Sequence, residues 1–143
     1  MEKTKYAGFD LGTRTLGISI SDNTKTIATS LKTIRFEDSE YTQLLGDIKD
    51  LIEEFNIEKI ILGLPKNMNN TIGDRALVTL EFKKLLEENF DIEVIMQDER
   101  LSTVSAHNYL LEANVSRKKR KKVVDKMAAN IILQTYLDKE RRN

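Results

Sequence analysis

The hydrophobic period of the chain changes near residue 40, and this change restricts the possible folds more than any other feature. Before it, short segments alternate apolar with polar residues or are rich in β-branched residues, which predicts three strands, at residues 6–10, 16–21 and 26–34. After it, apolar residues recur at three- and four-residue spacing, which predicts amphipathic helices at residues 41–55 and 75–88. Consecutive strands followed by alternating helices and strands indicate an α/β domain.

The remaining segments complete this order. Apolar runs at residues 59–63 and 92–96 predict two more strands, the first of them buried on both faces as parallel strands are. Helical patterns follow at residues 103–112 and 123–139. The order βββαβαβα is that of a ribonuclease-H-like mixed five-stranded sheet, an antiparallel meander followed by parallel strands and flanked by helices. Because no interdomain linker interrupts its 143 residues, we expect one domain, 1–143.

Composition excludes several kinds of site. The chain has no Cys, so disulfides, thiolate zinc sites and cysteine nucleophiles are excluded. No apolar stretch reaches the roughly 18 residues of a transmembrane helix, and the first ten residues, MEKTKYAGFD, lack the apolar region of a secretory signal. We therefore expect a cytoplasmic protein without membrane association, whose oligomeric state the sequence leaves open.

One concentrated run of positive charge lies within a chain of zero formal net charge. Six consecutive cations form it: Arg117, Lys118, Lys119, Arg120, Lys121 and Lys122. The rest of the chain has more acidic than basic residues. A basic patch on an acidic body favours contact with a polyanion such as nucleic acid, although a solvated basic loop explains the run alone equally well.

An acidic residue lies on the apolar side of the last predicted helix. Asp125 shares a helix face with Ala128, Ala129, Ile132 and Tyr136. A carboxylate buried there is costly unless it is paired or bound to a metal ion. The alternative is an acidic residue in the first helical turn, where the helix dipole favours negative charge.

Further carboxylates end two of the predicted strands. Asp10 ends the first strand, whereas Asp98 and Glu99 end the fifth, where alternation allows only one of the pair to face a shared site. These positions and Asp125 converge only if the two strands are neighbours and the last helix packs over them, and this order of elements allows the two strands to be close. An all-oxygen cluster suits Mg²⁺ or Mn²⁺. Two such ions roughly 3.5–4 Å apart can activate water and stabilise the leaving oxygen of a phosphodiester.

The segment GFDLGTRTLGISISD, residues 8–22, is also compatible with an ATP-binding protein. Sugar kinases, actin and Hsp70-type ATPases begin with a similar hairpin, which cradles ATP phosphates between two domains. This chain has length for one such domain, and it contains neither a second DxG motif nor a P-loop signature. Length therefore argues against the ATP-binding interpretation.

Four motifs in series are more specific. FDLGTRTLGISISD, ILGLPKNMNNTIGDRA, DERLSTVSA and SRKKRKKVVDKMAANIILQTYL, within residues 7–137, closely resemble the YqgF family of RuvC-related, Holliday-junction-resolvase-like proteins, also described as candidate pre-16S rRNA nucleases. The resemblance implies a ribonuclease-H-like fold and a metal-dependent endonuclease that matures the 5′ end of 16S rRNA, on free RNA or in a ribosomal precursor particle. Cleavage of branched DNA and nucleic-acid binding without catalysis remain the alternatives.

Carried over by position, the resemblance assigns both the catalytic and the metal-binding roles to Asp10, Glu99 and Asp125. Contact with nucleic acid is predicted for the 117–122 run and for three single cations. These are Arg14 in the first hairpin turn, Lys66 in the loop after the fourth strand, and Arg100 beside the acidic pair. For each single cation, solvation or an ion pair is the alternative.

Overall fold

The computed structural model describes residues 3–65, 73–98 and 116–141, and only the backbone of residues 117–126. The predicted helix at 103–112 and the candidate site residues Lys66, Glu99 and Arg100 lie outside the described residues.

Five strands form one mixed sheet in the order β3–β2–β1–β4–β5. β1 to β3 pair antiparallel, whereas β4 is parallel to both β1 and β5. The predicted antiparallel meander followed by parallel strands is therefore confirmed. Residues 60–64 are all buried, as expected of a strand covered on both faces. The strand bounds are Lys5–Leu11 (β1), Thr15–Ser21 (β2), Ala28–Arg35 (β3), Ile57–Leu64 (β4) and Glu93–Asp98 (β5).

The described helices cover opposite faces of this sheet. A 3₁₀ turn, Tyr41–Leu44, leads into α1, Leu45–Phe55, and α2 spans Asp74–Asn89. Their apolar residues pack with Phe9 and the other alternate residues of the strands on one face. The third helix, α3, spans Arg117–Arg141 and packs on the other face. Because side chains alternate along a strand, each strand contributes to both layers.

The start of α3 differs from the prediction. The helix begins at Arg117, so the six cations belong to the helix and do not form a loop before it. Lys and Arg are good helix formers, so the helix extends beyond the residues whose apolar pattern predicted it. Asp125 consequently lies in the third turn, not the first. Its interpretation as an acidic residue favoured by the helix dipole was wrong, because that effect is confined to the first turn.

Side-chain contacts fix α3 on the sheet along its length. The Ser19 hydroxyl donates to the carbonyl oxygen of Ala129 at 2.7 Å. Near the C-terminal end, the Lys59 ammonium lies 4.7 Å from the ring centre of Tyr6 and 5.6 Å from that of Tyr136. Tyr136 thus lies near the start of β1 and Ala129 further along it. The helix therefore runs opposite to β1, with its N-terminal half towards the carboxyl end of that strand.

We expect replacement of Ser19 with Ala to lower the free energy of unfolding by about 1 kcal/mol, because it removes a buried hydrogen bond between β2 and α3. Urea unfolding measures this change. Thr29→Ala, at an exposed position of β3, is the control and should stay within about 0.5 kcal/mol of the wild type. Equal unfolding free energies for the two variants would contradict a stabilising role for the Ser19 bond.

Candidate active site

Asp10 lies near the carboxyl end of β1, on the face that α3 covers. Tyr6 and Gly8, the alternate residues before it, both lie against α3. The Asp10 side chain is half-buried. Within the described part of the chain, no hydrogen bond or ion pair reaches its carboxylate. Because a partly buried carboxylate loses hydration, one without a protein partner is suited to bind a cation or a hydrogen-bond donor.

The two strands beside Asp10 leave space around it. On β2, Gly17 pairs with Asp10. On β4, Leu62 pairs with Phe9, so the register continued by one residue brings Gly63 beside Asp10. Neither glycine has a side chain to cover the carboxylate. These residues form a row across the sheet. On one side Thr33 of β3 pairs with Gly17, and on the other side Gln97 of β5 pairs with Gly63. Asp10 thus lies at the centre of a trough across the sheet.

A cavity of about 510 Å³ occupies the trough on the β2 and β3 side of Asp10. Residues of β1, β2 and β3 form its floor, and Met127 and Ala129 of α3 form part of its wall. The polar residues that line it, besides Asp10, are Thr15, Ser30, Lys32 and Thr33. The sequence analysis did not identify these residues as part of a site.

β1 and β5 are not neighbours in the sheet, which corrects the expectation that the two strands lie side by side. β4 lies between them, so the two strands are roughly 10 Å apart. On β5, Gln97 shares the α3 face with Ile95, whereas Asp98 shares the opposite face with Val94 and Met96. The Gln97 side chain is 5% exposed, and no hydrogen bond to it is found within the described residues. It adds a buried polar group to the row of residues that contains the half-buried Asp10.

The position of Asp125 follows from the placement of α3. Ala129 lies 3.6 Å from a Cβ built on Gly17, the neighbour of Asp10. Position 125 is one helical turn before Ala129 on the same helix face, and α3 runs in the opposite direction to β1. The helix backbone therefore brings this position to the edge of the sheet where β1 ends.

Two arginines lie near the end of β1. Arg14, in the turn between β1 and β2, is exposed, and its guanidinium lies 3.8 Å from the Asp38 carboxylate. Arg75, at the start of α2, donates to the carbonyl oxygen of Leu11 at 2.8 Å. Sequence analysis predicted Arg14 as a nucleic-acid contact but missed Arg75, whose position depends on how α2 packs. Its contact ties the start of α2 to the sheet edge that carries Asp10.

A metal-binding cluster cannot be assembled from the described side chains alone. No group of three His, Cys, Asp or Glu residues able to hold a metal ion is found among them. Of the three predicted ligands, only Asp10 has a described side chain. The metal site therefore stays a prediction.

Comparison with known proteins identifies the family. The family model described as "RuvX: Holliday junction resolvase" matches residues 4–139. The chain belongs to this family. A relative from Staphylococcus haemolyticus is 50% identical over 135 residues, covering 94% of this chain and 95% of its own. One from Geobacillus sp. (strain WCH70) is 47% identical over 134 residues, covering 94% and 97%. Both are named "Putative pre-16S rRNA nuclease".

Among solved structures, the fold of this RuvX-family chain resembles that of T. thermophilus RuvC in complex with a Holliday junction substrate. The TM-score is 0.65 at 14% sequence identity, covering 97% of this chain and 96% of the RuvC chain. This likeness confirms the predicted ribonuclease-H-like fold, and the family match confirms the predicted relation to resolvase-like proteins. None of the helices in the described residues is long and apolar enough to cross a membrane.

Proposed function

We propose that this protein is an endonuclease that hydrolyses phosphodiester bonds in structured nucleic acid, with the 5′ end of pre-16S rRNA as its substrate. The observation that carries this proposal is the Asp10 carboxylate, half-buried and without a protein partner among the described residues, at the centre of the trough. The substrate follows from the names of the relatives from Geobacillus and Staphylococcus, which align with nearly the whole chain.

The residues of the proposed site fit Mg²⁺ or Mn²⁺. Asp10, Glu99 and Asp125 would supply only carboxylate oxygens, which are the ligands that these ions prefer. When bound, the ions supply an activated water and stabilise charge on the leaving oxygen. Gly17 and Gly63, which flank Asp10, keep space free for the ions and the scissile phosphate.

Strand alternation favours Glu99 over Asp98 as the second carboxylate. Asp98 shares its face of β5 with Val94 and Met96, away from α3. The resemblance of the DER motif to the family instead assigns this role to Glu99, the next residue in the sequence. The longer side chain of Glu also suits a ligand that must reach across β4 towards β1.

Asp125 is the third proposed ligand, and the contacts of α3 support it. Gly8 permits Ala129 and Leu133 to approach the sheet closely, and Ser19 bonds the Ala129 carbonyl. A helix held so close brings the turn before Ala129 near the end of β1. The proposed role of Asp125 therefore depends on helix position, not on the helix dipole.

The basic run, residues 117–122, is proposed to bind substrate phosphates. Because the run is helical, its six positions pass more than once around the helix axis and cannot all face one nucleic-acid strand. We therefore infer that only part of the run contacts a given duplex, while the remaining cations contribute to the wider positive field. Binding through phosphates depends strongly on salt and little on sequence.

Cleavage of branched DNA is the second candidate function. It is supported by the description of the matching family model as a Holliday junction resolvase. The same carboxylates and the same trough would serve either polymer, because both reactions hydrolyse a phosphodiester.

The deciding experiment compares cleavage of labelled pre-16S rRNA, of a precursor ribosomal particle and of a four-way DNA junction. Each substrate is incubated with Mg²⁺, with Mn²⁺ and with EDTA. We expect metal-dependent cleavage of the precursor rRNA, free or in the particle, and none in EDTA. Cleavage of the junction alone would favour the resolvase function. Binding without cleavage of any substrate would leave a nucleic-acid-binding module and contradict the nuclease.

A further inference from the structure

The trough continues past Asp10 over β2 to the edge strand β3, on the side of Asp10 away from β4 and β5. We propose that this extension, formed by Thr15, Gly17, Ser30 and Thr33, binds the sugar–phosphate backbone of one substrate strand and so positions the scissile bond at Asp10. This inference rests on the proposed nuclease function and adds a path for the substrate.

The hydroxyl groups of the extension are the first support. Thr15, Ser30 and Thr33 line the cavity, and within the described residues none of their hydroxyls has a hydrogen-bond partner. Hydroxyl side chains are common donors to the phosphate and sugar oxygens of nucleic acids. A row of such groups leading to an unpartnered carboxylate suits a polymer better than a small apolar ligand.

Charge and shape supply the second support. Arg35 is exposed on β3, and it forms no ion pair among the described residues. Arg35 pairs with Thr15, so it belongs to the same face of the sheet. Gly17 keeps the floor low between Asp10 and Thr33. Because β3 is the edge of the sheet formed by the described strands, none of these strands obstructs a nucleic-acid strand that leaves the trough there.

The wall formed by α3 gives the trough an apolar side. Met127 is 38% exposed and lines the cavity together with Ala129. An apolar wall opposite hydroxyls and an arginine matches the two sides of a nucleotide, since bases have apolar faces and the backbone is charged.

A pair of Thr→Glu variants on β3 tests the proposal. Thr33 is exposed and pairs with Gly17 in the trough, whereas Thr29 is exposed on the same strand but pairs with Ile20, which packs on the opposite face. Both variants add the same charge to the same edge strand. We expect Thr33→Glu to raise KM about tenfold or more at low salt, through repulsion of phosphate, and to change kcat less than about threefold. Thr29→Glu should stay within about twofold of the wild type in KM.

The salt dependence of binding provides an independent measurement. Binding of labelled RNA is followed in EDTA by anisotropy across a range of salt concentrations. Arg35→Ala should reduce the slope of log K against log salt by about 1. Lys49→Ala, at an exposed position of α1 on the other side of the sheet, should leave the slope unchanged.

The same variants are tested with RNA and DNA strands of one sequence. Weakened binding of both polymers by Thr33→Glu supports phosphate contacts, and a larger loss for RNA supports contacts to the ribose hydroxyl as well. Equal effects of Thr33→Glu and Thr29→Glu would overturn the proposal, even if the wild type still cleaves RNA. Absence of all cleavage by the wild type would instead reject the nuclease function, while the binding comparison still decides the strand path.

Discussion

Replacement of Asp10 with Asn is expected to lower the rate of metal-dependent cleavage by more than about 100-fold. Mutation of a residue that only supports a metal ligand already lowers metal affinity or activity about 10–100-fold, so loss of a ligand's own charge should lower the rate more. Asn has nearly the same shape as Asp, and no hydrogen bond or ion pair to the Asp10 carboxylate is lost within the described residues. The fold should therefore survive the substitution.

Single-turnover cleavage of labelled precursor rRNA measures this effect, with thermal unfolding as the check on folding. Asp50→Asn removes the same charge at an exposed position of α1 and should leave the rate within about twofold. Normal cleavage by a folded Asp10→Asn protein would remove Asp10 from the reaction, and with it the metal site as assigned.

Replacement of Gly8 with Ala is expected to lower the free energy of unfolding by about 1–3 kcal/mol, which is typical of overpacking in a well-packed core. A Cβ on Gly8 would lie 2.7 Å from the Cβ of Leu133 and 2.8 Å from the carbonyl oxygen of Ala129, and it would also collide with the Ser19 hydroxyl. Because two of these neighbours belong to α3, relief of the clash must move the helix away from the sheet. Cleavage should fall as well, since Asp125 moves with the helix.

Gly46→Ala is the matched control. Gly46 lies in α1, and a Cβ there meets nothing within 4 Å. Alanine is the better helix former by up to about 1 kcal/mol, so this variant should be as stable as the wild type or more so. Urea unfolding and the cleavage rate are measured for both proteins. Full stability and activity of Gly8→Ala would show that the close approach of α3 to β1 is not required.

The order of the elements could be predicted from the sequence because strands and helices have different hydrophobic periods. The start of α3 could not, since the six cations carry no apolar pattern and the helix includes them nonetheless. The separation of β1 from β5 by β4 was also missed, because strand order depends on the packing of the whole sheet and not on any local segment.

The residues of the candidate site were likewise only partly predictable from the sequence. Asp10 was identifiable because an acidic residue at the end of an apolar strand is unusual. Thr33 was not, because its place in the trough depends on the register of β3 against β2, which shifts between Ile18 and Ser19. Such an irregularity moves side chains between faces and leaves no clear signal in the sequence.

The contact of Ser19 with Ala129 joins residues separated by 110 positions. Closing so long a loop is slow compared with forming the hairpin of β1 and β2, which lie next to each other in the chain. During synthesis from the N-terminus, Asp10 is made long before α3 leaves the ribosome. A nascent chain that stops before α3 thus lacks the helix that completes the proposed site, so nuclease activity would arise only once α3 has been made.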